Sequence, residues 1–399
     1  MYPPHHQGGY ELTWQSCDRH LTTGGHEVRT LTTDHLEPGV LSPNEGDVYR
    51  ELRWYWRDHA WPRLGLRARL GLERHNQRVL DRHLSEFNPD AIAWWSMGGM
   101  SLSLLEHARR RAVPAVAVVC DAWLTYAPRE DQWMRLFERR TWLRPMIESI
   151  VGVPTRVDIA AAAQFVFLSD VLRREAQRLD RRFTSGEIAH RGPDRDVFVA
   201  APAPPWRWRL LYAGRVDPRK GIDVAIEALA ALPAEATLTV ARSGGDAAYL
   251  EELRAQSSEL GLASRVSFPK LGRAELQAAY ADADAVVFPV RWEEPWGLVP
   301  LEAMVVGTPV VATGIGGSGE YLEHRGNSLT YDVAGGAQAL ADRVRELAAD
   351  EGLREQLRQG GFATARGLSA ERFNEQVERA LVAAARGRLR LPDGAGSSG

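Results

Sequence analysis

Short runs of apolar, β-branched residues alternate along this chain with longer stretches whose apolar positions recur every three or four residues. A short continuous apolar run reads as a strand buried on both faces, and the longer period reads as a helix with one buried side. On that basis strands are expected at 26–32, 90–95, 115–119, 163–169, 208–213, 237–241, 265–268, 285–288, 310–312 and 330–332. Helices are expected at 11–23, 171–180, from Ile222 onward, and at 299–306, 337–348, 352–359 and 369–385, the last capped by Ser369. The stretch 51–87 reads as helical throughout. Its part 63–84 alternates Leu with Arg, which fits a solvated outer helix better than a membrane-surface helix. Residues 131–151 are amphipathic, basic and aromatic without an assigned topology. Strands alternating with helices predict an α/β fold of doubly wound parallel sheets, with ligands outside the carboxyl ends of the strands.

At 399 residues the chain is expected to form two domains, 1–198 and 206–368, joined through the proline-rich linker 200–205. Residues 387–399, rich in Gly and Ser, are expected to be a flexible tail. The composition is globular, with 44% hydrophobic and 25% charged residues. A formal net charge of -3 gives no basic field to attract nucleic acid. Cys17 and Cys120 are too few and too far apart for a disulfide framework or a zinc site. Neither a signal peptide nor an apolar run of about 20 residues is evident, so a soluble, cytoplasmic protein is expected.

The richest stretch is 288–320. A buried strand ends at Phe288-Pro289, a loop carries Glu293 and Glu294, and Trp296-Gly297-Leu298 leads into a short helix that stops at Gly307. After the next strand, Gly314, Gly316, Gly317 and Gly319 form a second loop. A helix N-terminus and two sets of backbone N–H groups aimed at one crevice suit an anion such as a diphosphate. Carboxylates would repel that anion, so Glu294 and Glu302 are better placed to accept hydrogen bonds from hydroxyls on either side of it. The competing reading is an ordinary βαβ unit with acids near a helix start, where they are favoured anyway.

Glu294-x7-Glu302 with Gly297, then Glu302-Ala303-Met304, Gly307-Thr308-Pro309-Val310-Val311, Gly316-Gly317 and Glu320, resembles the donor site of the GT-B retaining glycosyltransferases of family four, glycosyl transferases group 1. The resemblance is strongest over 209–332 and weak over 49–151. It implies two Rossmann-like domains facing across a cleft, with a last helix, about 369–386, crossing back to the first. Gly214-Arg215 followed by Lys220-Gly221 resembles the family loop whose Arg and Lys bind the donor diphosphate. By the same resemblance Glu294 orients the donor sugar and Glu302 holds the ribose. Gly8, Gly9, Gly214, Gly244, Lys270, Leu271, Trp296, Gly297, Leu298 and Val299 join the donor site. Residues 190–194 resemble the segment that connects the family's two domains. Where the family often has a His-Asp pair, this chain has Cys120-Asp121. Asp121, Trp123 and His6 are acceptor-side candidates, and His5 could contact donor or acceptor. The family also places a strand ahead of the glycine pair, and none precedes Tyr2 here. The expectation is that this strand lies upstream of the sequence or was left out of it, which deprives the first sheet of a central member. Asp282-Ala283-Asp284 superficially matches a metal-binding D-x-D, but it sits just before a buried strand and reads as structural.

The reaction implied is transfer of a sugar from a nucleotide diphosphate sugar to a small-molecule or glycan acceptor, with retention and without a metal or other cofactor. The setting would be natural-product or cell-surface glycan synthesis. Alternatives are a catalytically silent nucleotide-sugar-binding protein, or a GT-B relative with different chemistry, such as a sugar-nucleotide epimerase or a phosphorylase.

Overall fold

The computed structural model describes residues 1–5, 8–41, 46–56 and 60–389. The chain divides into two compact units, Met1–Ala189 with Glu371–Gly399, and His190–Ala370.

The first unit contains β1 (Thr30–Thr33), β2 (Val48–Leu52), β3 (Ile92–Trp94), β4 (Ala115–Val119), β5 (Gln164–Phe167) and β6 (Glu187–Ile188). They form two separate parallel sheets, β1-β2 and β3-β4-β5-β6. Ahead of β1 runs the helix Gly9–Thr23, with Gly8 at its N-cap in extended conformation. The strands and helices predicted from 90 to 180 fall within a residue or two of the observed ones, because continuous apolar runs such as Ala115–Val119 are buried at every position.

The stretch 51–65 departs from the expected helix. Its described residues carry the end of β2 and then irregular structure at 53–56 and 60–65, and the helix spans only Leu66–Phe87. Polar residues on the inner face of that helix hold the segment. The Asn76 side chain accepts from Arg53 N–H (2.8 Å) and donates to Arg53 C=O (2.6 Å). Tyr55 donates its hydroxyl to Glu73. A hydrophobic-period reading cannot anticipate a polar inner face.

The last helix, Ala370–Leu389, starts one residue after Ser369 and extends past 386. Its Phe373 and Val377 are fully buried. From it Asn374 donates to Ser16 Oγ (3.1 Å), and Glu378 meets His20 (2.8 Å) and His26 (2.9 Å). The tail beyond Leu389 lies outside the described residues.

The second unit has one parallel sheet built from β7 (Arg209–Val216), β8 (Thr237–Gly245), β9 (Val266–Ser267), β10 (Ala285–Phe288), β11 (Val310–Ala312) and β12 (Leu329–Thr330). The spatial order is β12-β11-β10-β7-β8-β9. The winding therefore reverses between β7 and β10, which makes their carboxyl ends the topological switch point of the sheet. Ile222, Ile226 and Leu229 from the helix Ile222–Ala230 join Leu340, Val344 and Leu347 from Gly336–Ala349 against Leu210, Val240 and Val287 of the sheet. The proline-rich stretch 200–205 is packed on this unit: Ala201 N–H donates to Val306 C=O (3.0 Å), and the Arg358 guanidinium donates to Ala201 C=O. The boundary between units accordingly falls at Ala189/His190, upstream of the prolines. Among the described residues no helix is long and apolar enough to cross a membrane.

Candidate active site in the second unit

The loops after β7 and β10 meet at the switch point. After β7, Asp217 caps the short turn Pro218–Lys220 by accepting from Arg219 N–H (2.9 Å). Hydrogen bonding from the Arg219 side chain, first among its causes, holds the Asp217 carboxyl down at about 2. Gly221 follows with φ +70, where a Cβ would stand 2.0 Å from the Pro289 carbonyl oxygen, so the two loops can touch only through glycine. Arg291 N–H donates to Arg219 C=O (2.9 Å), its guanidinium donates to Pro218 C=O (2.6 Å), and the Arg219 guanidinium lies 4.4 Å above the Trp292 ring. These contacts bring Lys220 to Glu294, whose Oε1 accepts from the Lys220 Nζ. Both side chains are largely buried, at 14% and 13% exposure. Glu294 Oε2 is buried and has no hydrogen-bond partner. Arg215 is exposed near the end of β7, and among the described residues no carboxylate forms an ion pair with it.

Gly297, at φ +90, turns the β10 loop into the helix Leu298–Val306, which starts one residue earlier than expected. Leu298 and Val299 offer backbone N–H groups at its start, while Pro300 has none to leave unsatisfied. Glu302 sits one turn in. Its Oε2 accepts from the Tyr280 hydroxyl (2.8 Å), and burial raises its carboxyl above the usual range.

The second glycine loop does something other than expected. A Cβ on Gly316 would lie 2.4 Å from Glu294 N, and one on Gly317 would lie 2.3 Å from Pro295 C=O. Gly317 N–H already donates to Glu294 C=O (2.7 Å). That loop therefore clamps the Glu294 loop, and its Gly317 N–H is not free to bind an anion.

Trp296 also differs from a ligand-facing side chain. It is 3% exposed, stacks on His190 at 4.6 Å and 18°, and donates Nε1–H to Arg191 C=O (2.7 Å). His190 in turn meets Glu320 (2.9 Å), so 190–194 braces this site from within the unit. Tyr321 donates its hydroxyl to Gly297 C=O. The sequence reading missed Tyr280, His190 and Tyr321. Their contacts join residues 22 to 130 positions apart, and no local pattern marks them.

The remaining donor-site candidates lie at strand ends on the same edge of the sheet. Gly214 (φ +141) is near the end of β7 and Gly244 (φ +115) near the end of β8. Lys270 is exposed and bridges to Arg242 just past β9, with the half-buried Leu271 next to it. Of the D-x-D pair, Asp282 is exposed and paired with Arg209, and Asp284 is buried, accepting from Arg207 N–H (2.8 Å) and Arg209 N–H (2.7 Å). Its role is to hold β7 against β10. Among the described residues no group of three His, Cys, Asp or Glu side chains is arranged to hold a metal ion.

The other six candidates fall in the part of the chain that forms the first unit. Gly8 and Gly9 begin its first helix. Asp121 accepts from the Tyr126 hydroxyl (2.8 Å) and from Trp123 N–H (3.2 Å), and burial raises its carboxyl to about 6. Trp123 is fully buried, so it is a core residue and no acceptor contact. His6 lies outside the described residues. His5 is buried, accepting from Glu37 N–H at Nδ1 (2.9 Å).

Residues 197–364 match the family Glycosyl transferases group 1. The second unit is a member of that family. A D-inositol 3-phosphate glycosyltransferase of Xylanimonas cellulosilytica is 37% identical over 159 residues, covering 39% of this chain and 38% of that protein. The chain thus aligns over less than half the length of such curated relatives. Over nearly its whole length the fold matches sucrose-phosphate synthase of Thermosynechococcus elongatus, with a TM-score of 0.66, 20% identity and 94% coverage of each chain. Anabaena HepE, solved with UDP and glucose, gives a TM-score of 0.59 at 20% identity, over 80% of this chain and 84% of that one. The architecture is GT-B, two Rossmann-like α/β units.

Proposed function

We propose that the protein is a retaining glycosyltransferase that moves a sugar from a nucleotide diphosphate sugar to a small-molecule or glycan acceptor without a metal ion. The observation that carries this reading is the meeting of Lys220, Glu294 and the N-terminus of Leu298–Val306 at the switch point, beside the exposed Arg215. Arg215, Lys220 and the N–H groups of Leu298 and Val299 offset the charge of the leaving diphosphate. Glu294 Oε2, buried and without a partner, accepts a donor-sugar hydroxyl, and Glu302 holds the ribose through the oxygen that Tyr280 leaves open. The leaving phosphate takes the acceptor's proton on the face it departs from, which gives retention.

A thermal-shift and mass-spectrometric screen against UDP-, GDP-, ADP- and TDP-sugars tests this. One donor should stabilise the protein, with or without EDTA, and Arg215→Ala should abolish the shift. Turnover lost in Glu294→Ala while donor binding persists distinguishes an enzyme from a silent binder. Absence of any donor shift, or a shift that needs a divalent metal, overturns the reading.

A further inference from the structure

The first unit carries an apolar stripe on its outside. The turn Thr141–Leu143 runs directly into the helix Arg144–Val151, and Trp142, Met146 and Ile150 follow one another at i, i+4 spacing, so they share one face. Their exposures are 78%, 54% and 71%. The helix is fixed from its other side. Glu148 pairs with the Arg110 guanidinium and accepts from Thr155 N–H (2.9 Å), and Ile147 and Val151 are half-buried. The outer three side chains are thereby held in water, where contiguous apolar surface is unfavourable unless something covers it.

The charges around the stripe say what covers it. Over 133–151 the exposed charged residues are Arg135, Glu138, Arg139 and Arg140, and among the described residues no carboxylate pairs with Arg139 or Arg140. At the far end of the stripe Arg74 Nε donates to Val151 C=O (3.2 Å), which brings up the helix Leu66–Phe87. Arg67, Gly71, Arg74 and Arg78 are exposed along one side of it, and among the described residues none of these three arginines has a carboxylate partner. Apart from Leu66 at its start, the apolar side of that helix is turned inward, with Leu72, Val79 and Leu80 buried. The long helix therefore supplies charge, and the short one supplies apolar area.

We infer that this face of the first unit docks on an anionic lipid surface. The helix Arg144–Val151 lies in the plane of the interface, Trp142, Met146 and Ile150 enter the boundary between headgroups and acyl chains, and the arginines at both ends of the stripe meet lipid phosphates. The indole of Trp142 suits that boundary, being apolar in its body and polar at its N–H. The stripe spans about 12 Å of a convex helix face at 1.5 Å per residue, which offers a small molecule no enclosure. A second copy docked through the same face would set one group of guanidinium ions against another. The docking rests on none of the donor-site residues.

The test is flotation of the full chain with vesicles of phosphatidylcholine mixed with phosphatidylglycerol, against vesicles of phosphatidylcholine alone. The mixed vesicles should carry the protein, the neutral ones should not, and high salt should weaken the binding. Trp142→Ser combined with Met146→Ser and Ile150→Ser should weaken it about tenfold or more. Arg139→Glu with Arg140→Glu should do likewise, and both variants should keep the melting temperature. A second readout does not depend on those variants. Cys17 and Cys120 are buried, so Ile150→Cys takes an environment-sensitive fluorophore at one place. Its emission should shift to the blue on the mixed vesicles, whereas a label on Leu260→Cys in the second unit should not respond. Equal binding to neutral vesicles, binding indifferent to either set of substitutions, or an unshifted label at 150 overturns the docking. Absence of binding to the mixed vesicles also overturns it and leaves the face to an acidic protein surface. A dimer in solution that the triple substitution makes monomeric overturns it in favour of a second copy.

Discussion

At the scale of single residues, two buried ionisable clusters carry opposite consequences. In the second unit the Lys220–Glu294 pair is held by loop packing, so removing one member strands the other's charge. Lys220→Met should cost about 3 kcal/mol of stability and abolish nucleoside diphosphate binding. Adding Glu294→Gln should recover part of the stability but none of the binding, as read by denaturant unfolding and calorimetric titration. In the first unit Glu73 takes hydrogen bonds from Tyr55, Ser101 (2.6 Å) and Ser103 (2.5 Å), and burial, with Asp131 nearby, raises it to about 7. Burial likewise lifts Asp121 and Asp131 to about 6. A carboxyl whose folded pKa is raised keeps its proton when the unfolded chain has lost it. Its stabilisation is full below the ordinary carboxyl range and is lost as pH rises through the folded value. Stability should therefore decline between about pH 4 and pH 7, by about 1.4 kcal/mol per pH unit for each proton retained. Melting curves across that range should show the decline, and Glu73→Gln should flatten it near pH 6 to 7.

Among the elements, the glycine loop after β11 was legible as a loop but not as a clamp. A repeated glycine suggests backbone N–H groups open to a phosphate, whereas Gly316 and Gly317 are glycine because the Glu294 loop passes too close for a Cβ. Gly317→Ala should displace that loop and cost about 1–3 kcal/mol through overpacking. Donor affinity should fall more than the melting temperature alone implies, because Glu294 and Lys220 lose their register. Unchanged donor affinity in a folded Gly317→Ala protein would show that the clamp does not position the site. The stretch 51–65 teaches the same lesson: Trp54 and Tyr55 are buried in an irregular segment because Asn76 and Glu73 hold it, and composition alone reads as helix.

For the whole molecule, the second unit is continuous in sequence, but the first closes only when the C-terminal helix returns to it. Phe373 and Val377 are fully buried there, and Glu378 engages His20 and His26. Ending the chain at Ala370 should lower the melting transition of the first unit by several degrees, since burying two large apolar side chains contributes about 1.5–3 kcal/mol each. The donor-induced stabilisation of the second unit should persist, so scanning calorimetry should resolve two transitions where the full chain is more cooperative.

The sequence by itself determined the α/β class, the strands other than β2 and β6, and the residue types at the switch point. Short continuous apolar runs bounded by turn residues read as strands buried on both faces, and Gly-Arg…Lys-Gly with Glu-x7-Glu are visible in the local spacing. It also marked Glu294 and Lys220 as chemically important without showing that they pair. Tertiary structure alone decided the pairing, the use of Gly316 and Gly317 as close contacts, the burial of Trp123 and Trp296, and the place of the 200–205 prolines on the second unit. Each of these depends on which distant segments touch. Contact distance and burial are properties of the packed chain, and a linear pattern does not contain them.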